Sequence, residues 1–344
     1  MTMRALMIEP GPSFSVADVS RGWVKGLRSM GVDAQTFNYS DRLNTYTSVF
    51  VKHVGSDEFT KPWSTEQGVQ LAAKGISAAC FEFWPDLVMI CSGFYIPEWV
   101  YDVLRARKMK TVLLCTESPY EDDTQLERAG LVDWVILNDP TNIAKFRAVN
   151  PNVCYIPHAY DPEIHKPGPP QAELMSDFCF IGTGYPSRVE FLEQVDWTGI
   201  DVAIAGNWNW TGEDSPLRKY LAHDIDQCVF NTDAVGFYRS TKASANIYRR
   251  EAQRDDLSAG WAMGPREVEL AACGTFYLRE ARGENDEILP MLPAFDGPVD
   301  FGEKLRWWLT HDEARHDAMI AAHHAVASRT FAANAERMLH LIYG

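Results

Sequence analysis

The chain alternates short, unbroken apolar runs with stretches whose apolar residues recur every three or four positions. Residues 4–8 form the first run and read as a buried strand. The turn-forming Pro10-Gly11-Pro12-Ser13 follows, and 15–30 then places Val16, Val19, Trp23 and Leu27 on one helical face, stopped by Gly31. The alternation continues, with extended runs at 32–37, 87–91, 111–115, 134–137 and 153–156 and helical patterns at 71–83, 99–107 and 140–149. Apolar runs without polar interruption, separated by helices, mark a parallel sheet covered on both faces. Ligands of such sheets sit beyond the carboxyl ends of the strands. The loops to watch are therefore 9–14, 92–95, 116–120, 138–139 and 157–161.

Residues 161–176 carry Pro162, Pro167, Gly168, Pro169 and Pro170 and read as a linker. A second series of the same kind follows. Extended runs fall at 178–181, 202–205, 243–247 and 275–278, with helices at 187–195 and 265–273 and three more at 303–309, 312–328 and 331–342. The expected organisation is an N-terminal domain over 1–165, a C-terminal domain over 166–330 and a terminal helix over 331–344. Two parallel-sheet domains joined this way suggest a cleft between facing carboxyl edges. That architecture suits glycosyltransferases, sugar-nucleotide epimerases and periplasmic-type binding proteins alike.

Composition narrows this. At 344 residues, two domains is the natural expectation, and 46% hydrophobic with 23% charged residues is ordinary globular composition. The net charge of −15, with no basic run, ranks nucleic acid last among partners. A nucleotide-sized anion is still compatible, because a few local donors suffice to hold one. Seven scattered cysteines, with no C-x-x-C pair and several inside apolar runs, read as small buried hydrophobes in a reducing compartment. No signal peptide or membrane-spanning run is apparent, so a cytoplasmic location is expected.

The most informative segment is 264–278, GPREVELAACGTFYL. It places a Gly-Pro loop at a helix start, where free N–H groups and the helix dipole favour phosphate. Arg266 stands in the first turn, suited to a diphosphate. Glu269 comes one turn later on the same side, where a carboxylate can accept from both hydroxyls of a ribose. A surface helix with an Arg–Glu pair accounts for the same residues, and composition alone does not separate the two.

The segment resembles the donor-site helix of GT-B glycosyltransferases. More closely, it is similar to the CgeB/spore-protein-like glycosyltransferases, with their R-x-x-E-x-x-A-C-G pattern. Further pieces fall in the matching order: NVCYIPHAYDPEIHKP (152–167), DFCFIGTGYPSRVEFLE (177–193), DVAIAGNWNW (201–210), STKASANIYR (240–249) and the tail 301–342. The resemblance covers the C-terminal half and the linker, and the N-terminal half in architecture only. It implies an α/β GT-B fold of two Rossmann-like domains facing a cleft, with the C-terminal helix crossing back to the N-terminal domain. It also implies a nucleotide-diphosphate sugar, UDP-sugar first, as co-substrate. The donor is expected in the C-terminal domain and the acceptor in the N-terminal one. The group includes bacterial and phage-encoded members. The larger retaining families carry a second Glu seven residues before the ribose Glu. Here that position is Ala262, which leaves the sugar and the stereochemistry open.

Other candidates follow from their positions. Gly182 and Gly184 permit close backbone approach to a diphosphate, although Ser187 stands where the dinucleotide fingerprint has its third glycine. Arg188 and Lys242 are candidate phosphate partners, and Asn207 and Trp208 candidate neighbours of the base. Each has a bland alternative as a tight turn, solvated cation or packed loop aromatic. Gly11 and Ser13 form an N-domain loop that could approach phosphate or acceptor. Glu117 and His158, at strand ends, are candidate catalytic groups, with Asp18 and Asp139 behind them. His311 and His316 lack the spacing of the zinc H-E-x-x-H helix, and no metal site is expected. The favoured activity is metal-independent transfer of a sugar to an acceptor hydroxyl, with protein or glycan favoured as acceptor. The alternatives are an epimerase or hydrolase of the same fold, and a non-catalytic surface-assembly protein.

Overall fold

The computed structural model describes every residue except Met1, residues 10–13, Gln253 and Ser258. Gly11 and Ser13 therefore lie outside the described residues. The chain forms two compact units, one of Met1–Ile156 with Ala332–Gly344 and the other of Pro157–Phe331.

The first unit runs β1 (Arg4–Glu9), α1 (Phe14–Ser29), β2 (Asp33–Asn38), α2 (Tyr39–Ser48), a small hairpin of β3 (Val51–Lys52) and β4 (Phe59–Thr60), α3 (Thr65–Phe83), β5 (Leu87–Cys91), α4 (Glu98–Ala106), β6 (Lys110–Cys115), α5 (Asp122–Ala129), β7 (Trp134–Leu137), α6 (Ile143–Arg147) and β8 (Val153–Tyr155). Among the described residues, six of these strands make one parallel sheet in the order β2-β1-β5-β6-β7-β8. All five residues of β5 are buried, as an unbroken apolar run between two helical layers requires. Helix α3 begins six residues before its apolar periodicity does. Ser64 and Gln67 form a capping box there, which supplies its first N–H groups with partners.

The second unit runs β9 (Ser176–Ile181), α7 (Pro186–Glu193), β10 (Val202–Ala205), α8 (Asn231–Ser240), β11 (Thr241–Asn246), α9 (Pro265–Cys273), β12 (Tyr277–Glu280), α10 (Gly283–Ile288), β13 (Ala294–Phe295), α11 (Gly297–Thr310) and α12 (Asp312–Ala325). Its sheet is also parallel, in the order β10-β9-β11-β12-β13. The last helix, α13 (Phe331–Tyr343), lies almost wholly within the span assigned to the first unit. The second core is aromatic. Phe301 stands 5.0 Å from Phe295 and 5.7 Å from Phe178, centroid to centroid. Of the Trp307-Trp308 pair, Trp308 packs at 4.7 Å on Phe276, whereas Trp307 is exposed and stacks on His311.

Both sheets reverse their strand order once, between β1 and β5 and between β9 and β11. Such a switch point leaves a crevice at the carboxyl ends, because the loops on its two sides run off in opposite directions. Strand β12 starts two residues later than its apolar run suggests. Gly274 ends α9 in a left-handed conformation (φ 70°), and Thr275 uses its hydroxyl to bond Tyr238 O at 2.8 Å. The strand then extends through Arg279, which is buried against Asn285 and Asp286 at 2.6 and 2.7 Å. No described helix is long and apolar enough to cross a membrane.

Candidate functional site

The carboxyl edge of the second sheet gathers its chemistry at the switch point. Strand β9 ends at Ile181 and turns through Gly182, whose φ of 150° lies outside the range of an ordinary L-residue. A Cβ there would fall 2.1 Å from Nη2 of Arg266, so the glycine leaves the space that the guanidinium occupies. Arg266 donates through Nε to Ile181 O at 2.9 Å and through Nη1 to Asn246 Oδ1 at 3.3 Å. Its charge thus bridges the ends of β9 and β11, above the ring of Phe180 at 4.7 Å.

Arg188 makes a parallel bridge deeper in the unit. It donates to Ile247 O at 2.8 Å and Thr183 O at 2.9 Å, and it is buried over the rings of Phe180 and Tyr185. That corrects the expectation of a phosphate partner: Arg188 is buried, whereas Arg266 is half-buried, and the bonds of Arg188 hold the Gly182–Gly184 turn against the residue after β11.

Helix α9 carries the second half of the site. Pro265 sits in its first turn, where no N–H partner is needed, and Gly264 precedes it as N-cap. Glu267 closes the cap by accepting from Gly264 N at 2.8 Å. The same carboxylate is buried and also accepts from Tyr248 Oη and, at 2.8 Å, from Asn285 Nδ2. Asn285 in turn accepts from Arg279, and Tyr277 donates to Glu267 O at 3.0 Å. Burial pushes the Glu267 carboxyl above its ordinary range, against the pull of Tyr248, Gly264 N–H, Asn285 and Arg282. This network fixes where the helix N-terminus points. Arg266 and Glu269 project away from it, with Glu269 partly exposed and in contact with Asn231 Nδ2 at 3.3 Å.

The structure brings Gly182, Gly184, Arg266 and Glu269 together within one unit. Gly184 is there for packing: a Cβ would fall 2.2 Å from Cε3 of Trp208. Trp208 itself corrects an expectation. It is fully buried, donates to Ala205 O at 3.2 Å and stands edge-on to Phe180 at 5.8 Å, so it supports the turn from beneath and is closed to a base. Asn207 remains on the loop surface, with its carbonyl accepting from Gly184 N at 2.8 Å. Lys242 is a further correction. It lies at the amino end of β11, the opposite edge of the sheet, where it is exposed and paired with Asp177 at 2.7 Å. Ala262 is buried, and its carbonyl accepts from Arg282 at 3.1 Å.

In the first unit, Glu117 follows β6 at the carboxyl edge, half-buried and beside a cis Ser118–Pro119 bond. Behind it, Ser118 Oγ donates to Asp122 at 2.6 Å and Asn142 Nδ2 donates to the other oxygen at 2.8 Å. Asp139 is buried close by and accepts from Thr141 N at 2.8 Å. Asp18 pairs on its own helix with Arg21 at 3.3 Å. His158 opens the second unit and is half-buried. Among the described residues, no group of three or more His, Cys, Asp or Glu side chains could hold a metal ion.

Sequence reasoning missed Glu267, Tyr248 and Asn285. The G-x-x-E spacing of Gly264 and Glu267 is a capping signal that was available. Tyr248 and Asn285 lie 19 and 18 residues from Glu267, and no local pattern links them to it.

A glycosyl transferase-like family model matches residues 188–340, which include Arg266 and Glu269. Spore protein CgeB of Bacillus subtilis (strain 168) is 21% identical over 245 residues, 70% of this chain and 77% of that protein. Among solved structures, a sucrose-phosphate synthase from Thermosynechococcus elongatus superposes with a TM-score of 0.66 at 13% identity, covering 99% of this chain and 98% of that one. The trehalose-6-phosphate synthase OtsA gives 0.65 at 12% identity, covering 100% and 99%.

Proposed function

We propose that the chain, which has the GT-B fold, is a glycosyltransferase of the CgeB-like group that moves a sugar from a nucleoside-diphosphate donor, held by the 157–331 unit, to an acceptor hydroxyl. One observation carries this reading. Arg266 stands in the first turn of α9 with its guanidinium against Gly182 at the switch point, and Glu269 follows one turn on. A diphosphate on the Gly182–Gly184 turn would meet that guanidinium and the positive end of the α9 dipole. Glu269 would accept from the ribose hydroxyls. UDP is the first candidate nucleotide.

In the reaction, the bond between the anomeric carbon and the diphosphate oxygen breaks as the acceptor oxygen bonds to that carbon. Negative charge grows on the departing diphosphate, where Arg266 and the helix terminus offset it. These fixed positive groups do the work a divalent cation would otherwise do, so we assign a metal-independent reaction. Glu117 is our candidate to take the acceptor proton on an inverting course, or to bind the acceptor on a retaining one, with His158 as its alternative. Protein or glycan is the favoured acceptor, given the net charge of −15. The cysteines, free among the described residues, fit a reducing, cytoplasmic setting.

A thermal-shift panel of UDP-, GDP- and dTDP-sugars, with and without EDTA, tests the proposal. Stabilisation by one nucleotide class, unchanged by the chelator, is expected. A folded protein that no nucleotide sugar stabilises would sink it.

A further inference from the structure

Glu269 is not isolated on the outer face of α9. Its Oε1 accepts from Asn231 Nδ2, at the first residue of α8, and lies 3.9 Å from Nε2 of His165. The backbone around His165 is pinned. Its N–H donates to Asp161 O at 2.7 Å, and Arg239 donates to the carbonyls of Lys166 at 2.8 Å and Ile164 at 3.3 Å. The imidazole is only 3% exposed, yet neither ring nitrogen has a hydrogen-bond partner among the described residues. A polar ring kept dry and unbonded is costly, and an apolar side chain would fill the same space without that cost. The ring needs to close by about 1 Å to bond the Glu269 oxygen, within reach of a small side-chain rotation.

We infer that His165 is a positioning residue for donor recognition. On donor binding its Nε2–H closes on Oε1 of Glu269, so that His165 and Asn231 together hold that oxygen and Oε2 is left to accept from the ribose. This rests on the donor site proposed above. It adds that ribose selectivity depends on a buried histidine outside α9, reached through Glu269 and not by contact with the nucleotide. A donor that lacks the 2′-hydroxyl is then discriminated against only while the carboxylate is held.

Calorimetric titration of UDP, GDP and their 2′-deoxy forms into the full-length protein tests this, using wild type, Glu269→Ala, His165→Phe and His165→Gln. The wild type is expected to bind the ribonucleotide about 10- to 100-fold more tightly than its deoxy form. Glu269→Ala and His165→Phe should bring that ratio close to one. His165→Gln, whose amide can donate to the same oxygen, should keep most of it. A general loosening of the unit would weaken both nucleotides by one factor and leave the ratio unchanged. If His165→Phe does not fold, His165→Leu is read in the same way. A wild-type ratio in the apolar variant, alongside a collapsed ratio in Glu269→Ala, overturns the inference and leaves the donor site standing. Unchanged affinity and ratio in Glu269→Ala, or no binding of either nucleotide by the wild type, overturns the donor site and the inference with it.

Discussion

The two faces of helix α9 use the same residue types for different ends. Glu267 and Glu269 stand two positions apart. The first is fully buried and takes hydrogen bonds from Tyr248, Asn285 and Gly264; the second is partly exposed, accepts from Asn231 at the start of α8 and lies 3.9 Å from His165. Two residues along a helix turn a side chain by roughly 200°, so the carboxylates cannot share a face. The inner one orients the helix, and the outer one is placed to be used. Arg188 and Arg266 repeat the contrast at the ends of β9 and β11. One is buried and bonded to backbone carbonyls, and the other holds its guanidinium against the glycine turn. Charge at a strand end is therefore a poor guide to role until its existing partners are known.

The comparison breaks most sharply at Glu267. Removing this carboxylate leaves Gly264 N–H, Tyr248 Oη and Asn285 Nδ2 without their shared acceptor. Glu267→Ala should cost about 3 kcal/mol or more, lowering the unfolding midpoint of that unit by about 6–12 °C. Calorimetry measures it. Wild-type stability paired with lost donor binding would mean that the inner face is functional and not structural.

Glu267 also sets a pH dependence whose sign is fixed. Burial holds its carboxyl above the ordinary value of 4.5 in the folded state, so the folded chain retains a proton that the unfolded chain releases. That contribution is present in full below the unfolded value and is lost as pH rises through the raised one. Glu280 is pushed the same way, mainly by burial, and adds the same sign. Chemical denaturation from about pH 4.5 upward should show a falling contribution that Glu267→Gln flattens in part. An unchanged slope in the glutamine variant would assign the titration elsewhere.

Arg266→Ala tests the outer face. It should weaken nucleoside-diphosphate binding by about 10- to 100-fold, the range for hydrogen bonds to a charged partner, with a far smaller change in stability than at Glu267. Isothermal titration with UDP and GDP reads this directly. If the variant unfolds instead, the guanidinium is a strut like that of Arg188, and the contrast between the two arginines disappears.

How far the sequence revealed this depends on the range of the interaction. Strands β7 and β10 match their apolar runs residue for residue, because a strand buried on both faces leaves no polar position inside it. Helix α9 was legible from Gly264 and Pro265 at one end and Gly274 at the other. Helix α5 was not, because its sequence DDTQLERA shows almost no apolar face; it is held by buried Asp122, which accepts from Ser118 and Asn142, and by Leu126 and Ala129 against the core. The donor residues close in sequence, Gly182 with Gly184 and Arg266 with Glu269, were found as local motifs. Trp208 and Lys242 were misjudged for opposite reasons. An aromatic in a loop after a strand gives no sign that a glycine 24 residues earlier makes room for its ring. Lys242 directly precedes the apolar run 243–247, so its place at the amino end was legible, and the rule that ligands sit at carboxyl ends already spoke against it.

Gly184 and Lys242 sharpen the contrast between the packed crest and the opposite edge. At Gly184 an added methyl meets a ring held by Phe180 and Ala205 O, so Gly184→Ala should cost about 1–3 kcal/mol in stability. Urea denaturation checks this, and a neutral result would show that the Trp208 ring can move.

The smallest effect is expected at Lys242. Its side chain is 55% exposed and its ammonium pairs with Asp177 at the amino edge of the sheet, while the candidate donor site lies at the carboxyl edge. An exposed pair of this kind contributes about 0–1 kcal/mol, and less as salt is raised. Lys242→Ala should leave the affinity for UDP or GDP within about twofold of wild type and shift the unfolding midpoint by no more than a few degrees. Titration of the same nucleotides used for Arg266→Ala supplies the comparison. Parallel strands carry their two ends on opposite sides of the unit, and a charge at one end is screened from a diphosphate at the other by distance and by the packed sheet. A large loss of affinity in Lys242→Ala, matching that of Arg266→Ala, would put the nucleotide at the amino edge. The glycine turn and α9 would then be a packed crest with no ligand of their own.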